Sequence, residues 1–296
     1  MKPGIVRVVE VGPRDGLQNE TAAIPLEAKR AFIEALVEAG LKDIEVGAFV
    51  RPDRVPQMAD SDALARALPK RGGVTYWALV PNLKGAQRAL DAGLEALAVF
   101  TAASETFSQR NTGMTRSESL EAVAEVAKLG RRTRAYVSTC FACPYEGRVS
   151  PEAVAGTCQA LVDLGVSEIS VGDTIGAAVP TDVERVLGRL LKLAPAGTWA
   201  GHFHDTRGTA LANVLAALNL GVSVFDASAG GLGGCPFAPG ASGNLATEDL
   251  VYMLDGMGRD TGVDLARLIK AAPPLEPLLG HALPGKVLKA HLPGAS

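Results

Sequence analysis

Two histidines and several oxygen-bearing side chains have the types and the spacing of a metal-binding site. His202 and His204 lie two residues apart in an apolar stretch typical of a strand, and alternate strand residues point to one face. Two imidazoles on one face can hold one divalent ion. Separate segments supply Asp15 and Asn244. We therefore predict a metal site formed by Asp15, His202, His204 and Asn244.

The predicted ligands limit the chemistry. Imidazole, carboxylate and amide ligands suit Mg²⁺, Mn²⁺ or Zn²⁺, and the absence of thiolates from this set argues against a closed structural zinc site. Open positions could take a substrate hydroxyl and carbonyl, whose polarisation starts carbon–carbon cleavage. Arg14, beside Asp15, could hold charge on a carbonyl oxygen. Cys235, between glycines and a proline, could move a proton at carbon.

Each of these residues also has an ordinary structural explanation. A His-x-His pair often combines one buried and one exposed histidine. Asp15 could be a turn residue, and Asn244 could cap the helix that follows it. Arg14 could simply pair with a carboxylate, Cys235 could be a buried apolar side chain, and Tyr136 could be a packing residue. Because these explanations require several independent coincidences, we prefer one shared site.

Alternating strands and helices along the chain would position these residues. Short apolar stretches indicate eight strands, at 5–11, 43–48, 74–80, 96–102, 134–140, 168–173, 199–204 and 224–229. Helical patterns lie at 26–39, 62–68, 83–92, 117–129, 151–164, 181–193, 209–220 and 245–257. Parallel strands need such crossovers, so an α/β fold, a (β/α)8 TIM barrel, is predicted. A doubly wound sheet is the alternative, but the first turn, Gly-Pro-Arg-Asp-Gly, is no dinucleotide fingerprint.

The predicted barrel brings further residues to the same site, because TIM-barrel active sites lie at the C-terminal ends of the strands. Arg14 and Asp15 follow the first strand, Glu45 lies in the second, Tyr136 lies in the fifth and Asp173 ends the sixth. Side chains from several separate strands would therefore converge at one mouth of the barrel.

Composition favours one packed domain over residues 1–296, with a short Pro- and Gly-rich C-terminal extension at the surface from about 273. A net charge of −3 without a basic tract gives no indication of nucleic acid or membrane binding. No apolar run approaches the roughly 20 residues that cross a bilayer, and no signal segment is evident, so we expect a cytoplasmic location. Cys140 and Cys143 form a C-x-x-C pair without a second pair that would complete a zinc site.

Several motifs together resemble one known family. They occupy residues 10–20, 55–58, 81–85, 143–147, 172–176, 231–236 and 240–250, and include Glu-Val-Gly-Pro-Arg-Asp-Gly-Leu-Gln-Asn-Glu, Gly-Asp-Thr-Ile-Gly and Gly-Leu-Gly-Gly-Cys-Pro. In these motifs, and from Val9 to about Leu254, the chain resembles the 3-hydroxy-3-methylglutaryl-CoA lyase family. That family belongs to a larger group of metal-dependent (β/α)8 lyases and Claisen condensing enzymes.

The resemblance implies a retro-Claisen cleavage of an acyl-CoA substrate. From 3-hydroxy-3-methylglutaryl-CoA the products would be acetoacetate and acetyl-CoA, as in leucine degradation. The implied cofactor is a divalent metal, Mg²⁺ or Mn²⁺, and we expect a homo-oligomer of two or four chains.

The resemblance also implies a role for each site residue. Arg14 would stabilise the enolate, Cys235 would transfer a proton, and Glu45 and Asp173 would orient groups around the metal and the substrate. Gln18 and Tyr136 would line the pocket. The resemblance further implies that the metal is bound by Asp15, His202, His204 and Asn244. Asp15 and His202 would also be catalytic. Asn111 would contact CoA.

Some positions depart from the family's pattern. Gly47 and Ala48 stand where hydroxyl residues are usual, and Arg207 stands where an aromatic residue is usual. The helix after the fourth strand also looks short. Lost hydroxyls would make room for a longer 3-hydroxy-3-alkylglutaryl-CoA, which is an alternative substrate.

Three rival functions fit the same barrel less well. The first is a condensing enzyme of the isopropylmalate or homocitrate synthase type, which lacks the Gly-Gly-Cys-Pro loop that this chain carries around Cys235. The second is a keto-acid aldolase, which is disfavoured for the same reason. The third is a barrel that binds metal or acyl-CoA without catalysis, which is disfavoured because every expected catalytic residue is present.

Overall fold

Eight parallel strands close into a barrel in this computed structural model, which describes residues 4–234 and 243–291. The barrel strands are β1 (Arg7–Glu10), β2 (Asp43–Ala48), β3 (Thr75–Leu79), β4 (Ala96–Ala102), β5 (Arg132–Ser138), β8 (Glu168–Asp173), β9 (Trp199–Phe203) and β10 (Val224–Ala227), and a separate hairpin is formed by β6 (Ala142–Cys143) and β7 (Gly147–Arg148). The order around the barrel is β1, β10, β9, β8, β5, β4, β3, β2, so the first strand pairs with the last. The predicted TIM barrel is confirmed.

Helices connect the strands and cover the outside of the barrel. They are α1 (Leu26–Glu38), α2 (Ser61–Ala67), α3 (Leu83–Asp91), α4 (Glu105–Thr112), α5 (Arg116–Ala127), α6 (Pro151–Asp163), α7 (Pro180–Leu190), α8 (Ala210–Asn219), α9 (Thr247–Gly256), α10 (Leu265–Leu268), α11 (Glu276–Leu279) and α12 (Lys286–His291). Side chains inside the barrel and helices outside it explain why all six residues of β2, and all six of β8, are buried. Within the described ranges, no helix is long and apolar enough to cross a membrane.

The connection after β4 holds two helices where the sequence suggested one short helix. The first of them, α4, was not predicted because its sequence is polar and has no apolar period. Local signals nevertheless define its ends. The Ser104 side chain accepts a hydrogen bond from the Phe107 backbone N–H, and Gly113 ends the helix in the left-handed conformation, at φ 76°.

The C-terminal extension packs onto the barrel and buries apolar side chains. Leu275, Leu283 and Leu288 are each 2% exposed or less and belong to the main core cluster. Short helices in this region, α11 and α12, lie outside the predicted helices because each is only one or two turns long. The extension therefore adds core contacts in addition to covering the surface.

Charged side chains occupy part of the barrel interior. Arg134, which is fully buried, pairs with Glu168 at 3.0 Å and with Asp226 at 2.6 Å. Its guanidinium also donates to the Tyr136 hydroxyl at 3.0 Å. Arg134 and Tyr136 are two residues apart in β5, so both point to the barrel axis. This network links β5 to β10 across the interior.

Candidate active site

Arg14 and Asp15 lie on a π-helical turn, Gly12–Gly16, that follows β1. The backbone N–H groups of Arg14, Asp15 and Gly16 all point at the Val11 carbonyl oxygen, at 3.1, 2.7 and 3.2 Å. Such wide turns are rare and occur frequently at functional sites. Gly16 has to be glycine, since a Cβ there would lie 2.7 Å from the Leu232 Cβ. The π-helical turn thus directs two consecutive charged side chains into the barrel mouth.

The predicted metal-binding side chains meet at the C-terminal end of the barrel. Asp15, His202 and His204 each offer one ligand atom, and these atoms lie within 4.8 Å of one another. The two imidazole rings are 5.3 Å apart between centroids. Asn244 joins the group, because its side-chain amide donates to Asp15 Oδ2 at 2.8 Å. A backbone bridge between His204 and Asn244 fixes their relative position.

The protonation states of these side chains suit a divalent cation. Burial would raise the pKa of Asp15, but the Arg14 guanidinium and the two histidines lower it to about 2, so the carboxylate is ionised. Burial, together with His202, lowers the pKa of His204 to about 4, so that imidazole is neutral. Within the described residues, the buried Nδ1 of His204 has no hydrogen-bond partner. A buried imidazole nitrogen without a hydrogen-bond partner, in the same cluster as the ionised Asp15 carboxylate, suits a metal ligand.

Asp226 supports His202 from behind, a role that the sequence did not reveal. Its Oδ2 lies 3.2 Å from Nδ1 of His202 and accepts the Ser170 hydroxyl at 2.6 Å. Burial opposes ionisation of Asp226, but Arg134 and His202 lower its pKa. An ionised carboxylate can only accept, so Nδ1 carries a proton and Nε2 is the nitrogen that a metal would take. Burial would lower the pKa of His202, but Asp226 and Asp15 raise it, so a metal ion would compete with a proton for Nε2.

Arg14 is fixed by carboxylates on two sides. Its Nε donates to Glu45 Oε2 and its Nη1 donates to Asp15 Oδ1, each at 2.6 Å. Burial opposes the charged guanidinium, but Glu45 and Asp15 outweigh it and raise the pKa of Arg14 above its usual value. Arg14 also lies over the Tyr136 ring, 5.4 Å from its centroid. The result is a permanent, oriented positive charge beside the predicted metal site.

A cavity of about 970 Å³ opens over this group. Arg14, Asp15, His202 and His204 line it. The other predicted pocket residues do so as well, from three different elements: Gln18, Tyr136 and Asn111, the last of them exposed on α4. The structure therefore brings these predicted residues to one cavity.

Asp173 is close to the site but is engaged elsewhere. Its carboxylate oxygens accept the backbone N–H groups of Ala177 and Ala178, at 2.9 and 3.0 Å, and burial raises its pKa to about 6. Arg207, at the position that departs from the family's pattern, donates to the carbonyl oxygens of Ile175 and Gly176. Both side chains therefore hold the loop after β8, and neither lines the cavity.

The supposed extra room at Gly47 and Ala48 is not in the cavity. A Cβ at Gly47 would lie 2.6 Å from the Ser61 hydroxyl, and the Ala48 N–H donates to that same hydroxyl at 3.1 Å. Ser61 belongs to α2, on the outside of the barrel. Neither residue lines the cavity. Position 47 therefore faces the helix layer, so a hydroxyl lost there cannot enlarge the acyl site.

The predicted proton-transfer residue, Cys235, lies outside the described residues. Gly234, immediately before it, lines the cavity. Gly233, at φ 107°, allows close approach of Asn244, since a Cβ there would lie 2.9 Å from the Asn244 amide nitrogen. The C-x-x-C pair is apart from this region: Cys140 and Cys143 are buried, and Cys140 donates to the Val137 carbonyl oxygen.

Comparison with known proteins agrees with this geometry. A family model described as HMGL-like matches residues 5–273. A hydroxymethylglutaryl-CoA lyase from Bacillus subtilis is 50% identical to this chain, and the alignment covers 97% of each of the two chains. A 3-hydroxy-3-isohexenylglutaryl-CoA/hydroxymethylglutaryl-CoA lyase from Pseudomonas aeruginosa is 46% identical over 98% of either chain. An HMG-CoA lyase from Acinetobacter baumannii, solved with coenzyme A and 3-methylmalate, has a TM-score of 0.93 at 39% identity over 98% of this chain and 96% of that one. The chain therefore belongs to the hydroxymethylglutaryl-CoA lyase family.

Proposed function

We propose that this protein cleaves 3-hydroxy-3-methylglutaryl-CoA to acetoacetate and acetyl-CoA with a divalent metal ion. One observation carries the proposal. The ligand atoms of Asp15, His202 and His204 lie within 4.8 Å of one another, beside the fixed guanidinium of Arg14 and in one cavity. Relatives of similar length that are about half identical carry the name of this activity.

The reaction breaks the bond between C2 and C3 of the acyl group. A base takes the proton of the tertiary hydroxyl on C3, and the hydroxyl oxygen becomes the keto oxygen of acetoacetate. The electron pair of the broken bond moves to C2 and forms the enolate of the acetyl thioester, which takes up one proton and becomes acetyl-CoA. When bound, a divalent ion lowers the pKa of the hydroxyl and polarises nearby oxygens.

Arg14 is the side chain best placed to stabilise the enolate. Its charge is permanent, and the bonds to Glu45 and Asp15 hold it in one orientation, so little reorganisation is needed as negative charge develops. We assign Glu45 to the positioning of Arg14. We assign Asp173 to the positioning of the loop after β8, whose Thr174 lines the cavity. The proton that C2 takes up is assigned to Cys235, as the sequence predicts.

The rim of the cavity suits the phosphates of coenzyme A. Arg51, Arg54 and Arg110 line the cavity along with Asn111. Arginine guanidinium groups are the side chains of choice for phosphate recognition. The A. baumannii relative was solved with coenzyme A. We therefore infer that the CoA end of the substrate lies between α4 and the segment that follows β2, which supports the predicted contact with Asn111.

Metal-dependent release of both products tests the proposal. Purified protein with Mg²⁺ or Mn²⁺ should release acetyl-CoA and acetoacetate in equal amounts, because one bond cleavage gives one of each. An excess of EDTA should abolish release, and added Mn²⁺ should restore it. Folded, metal-loaded protein that releases neither product would contradict the proposed function.

A longer acyl group on C3 is a second candidate substrate. Apolar side chains, including Leu79, Phe100, Phe107 and Val137, line the cavity, and the P. aeruginosa relative is named for both an isohexenyl and a methyl substrate. We expect the protein to cleave a C3-hexyl analogue as well as the methyl compound. A series of C3-alkyl glutaryl-CoA thioesters measures this. Cleavage of the methyl compound alone would exclude the longer substrates.

Several finer assignments stay predictions. They are the choice of Mg²⁺ or Mn²⁺, a homo-oligomer of two or four chains, a cytoplasmic location and a place in leucine degradation. A condensing reaction, in which acetyl-CoA adds to a 2-keto acid, is the alternative on the same barrel. Incubation with acetyl-CoA and 2-ketoisovalerate should release no free CoA if the lyase assignment is right.

A further inference from the structure

The C-terminal helix α12 is attached to the segment that carries a predicted metal ligand. The Lys286 ammonium group forms an ion pair with Asp205, which directly follows His204. Asp205 is only 7% exposed, so its carboxylate has left most of its hydration and depends on protein partners. Lys286 is thus a cation from outside the barrel that reaches the residue beside the site.

Asp205 in turn connects two of the predicted ligands. Its backbone N–H donates to the Gly243 carbonyl oxygen at 2.7 Å, and Gly243 immediately precedes Asn244. Its carboxylate accepts the Ala210 N–H at 3.0 Å, at the start of α8. A shift of Asp205 would therefore move His204 on one side and Asn244 on the other.

Further bonds hold the C-terminal segment in register with this region. The Asp249 carboxylate accepts the backbone N–H groups of Lys286 and Val287, at 3.2 and 2.7 Å. The Gly285 N–H donates to the Gly230 carbonyl oxygen at 2.9 Å, on the glycine-rich segment that leads to the cavity. These contacts place the Lys286 side chain over Asp205, and its ammonium group also lies 3.9 Å from the Asp249 carboxylate.

We propose that Lys286 is a positioning residue for the metal site, acting through Asp205 on His204 and Asn244. The inference rests on the proposed function only in requiring that these residues bind a divalent ion. A ligand pair held rigidly from behind loses less conformational freedom on binding metal, and loss of such supporting contacts commonly weakens metal affinity about 10- to 100-fold. Lys286 itself touches neither the cavity nor the ligand atoms.

Mn²⁺ titration of the metal-free full-length protein, followed by EPR of the free ion, tests the proposal. The Lys286→Met variant should raise the Mn²⁺ dissociation constant about tenfold and lower kcat more than it raises KM for the thioester. Lys286→Arg, which retains the charge, should recover most of the affinity. The matched control is Lys289→Met, because Lys289 is exposed on the same helix, and it should leave the dissociation constant unchanged.

A remote variant separates positioning from general loss of stability. Val126 is fully buried in α5, so Val126→Ala should lower Tm without changing Mn²⁺ affinity. Unchanged affinity in Lys286→Met would overturn the proposal and leave the lyase function intact. No recovery in Lys286→Arg would also overturn it. Wild-type protein that binds no Mn²⁺ would refute the metal site of the proposed function, and the role of Lys286 with it.

Discussion

An Arg14→Gln variant should lose about 100- to 1000-fold in kcat, the usual effect of removing one preorganised donor to a developing oxyanion. The loss should appear mainly in kcat, because the charge that Arg14 stabilises exists only as the C2–C3 bond breaks. Product release from 3-hydroxy-3-methylglutaryl-CoA at saturating metal measures the effect. Circular dichroism and Mn²⁺ binding should show a folded protein that still holds the ion.

Two further variants make this result specific to the geometry of Arg14. Lys at position 14 keeps the charge but cannot bond Glu45 and Asp15 as a planar fork does, so R14K should recover little of the lost rate. R30Q removes a partly exposed arginine on α1 that is not among the cavity-lining residues, and should keep full activity. If R14Q keeps more than about one tenth of wild-type kcat, Arg14 does not stabilise the enolate.

The largest expected effect on stability comes from Asp226→Asn. Arg134 is fully buried and would lose its partner at 2.6 Å. Removing one member of a buried ion pair costs about 3–5 kcal/mol, and the lower end applies because Glu168 still lies 3.0 Å from Arg134. Urea unfolding monitored by tryptophan fluorescence should show this decrease in the free energy of unfolding. Mn²⁺ affinity should also fall, because a neutral amide holds His202 less firmly than a carboxylate.

Removing both charges checks that explanation. The double variant R134M/D226N should recover part of the lost stability, since the unpaired cation is gone and Glu168 keeps its ion pair with Arg7. The exposed Asp163 on α6 provides the matched control, and D163N should change stability by less than about 0.5 kcal/mol. A loss in D226N below about 1 kcal/mol would mean that Glu168 alone satisfies Arg134.

The barrel was predictable because its signals are local. Each strand is a short apolar run and most helices have clear ends, so the alternation could be counted. The closeness of the two imidazoles was predictable for the same reason, since His202 and His204 share one strand face. Contacts between segments that are distant in the sequence were not predictable. Asp226 is a single acid in an apolar strand, and nothing near it in the sequence indicates Arg134, 92 residues away.

Side-chain direction was the second limit of the sequence. The family's pattern indicated that Gly47 and Ala48 differ, but a strand residue in a barrel can face the interior or the helices, and a local shift in the β2–β3 register lies between Glu45 and Gly47. Only the structure shows Gly47 against Ser61. The sequence also did not predict how the C-terminal segment contacts the barrel, because its helices are short and Lys286 reaches Asp205 across 81 residues.

The pairing of β1 with β10 has a consequence for how the protein folds. Asp15 follows β1 and Asn244 follows β10, so two side chains that touch are 229 residues apart in the chain. An N-terminal portion of the chain, emerging first during synthesis, has Asp15 but neither histidine nor Asn244. If these residues bind a metal ion as proposed, the ion would bind with full affinity only once the barrel has closed. Binding energy gained there stabilises the closed barrel as a whole relative to partly folded states. On the proposed function, a bound metal ion would therefore protect the fully folded protein from proteolysis and leave partly folded chains unprotected.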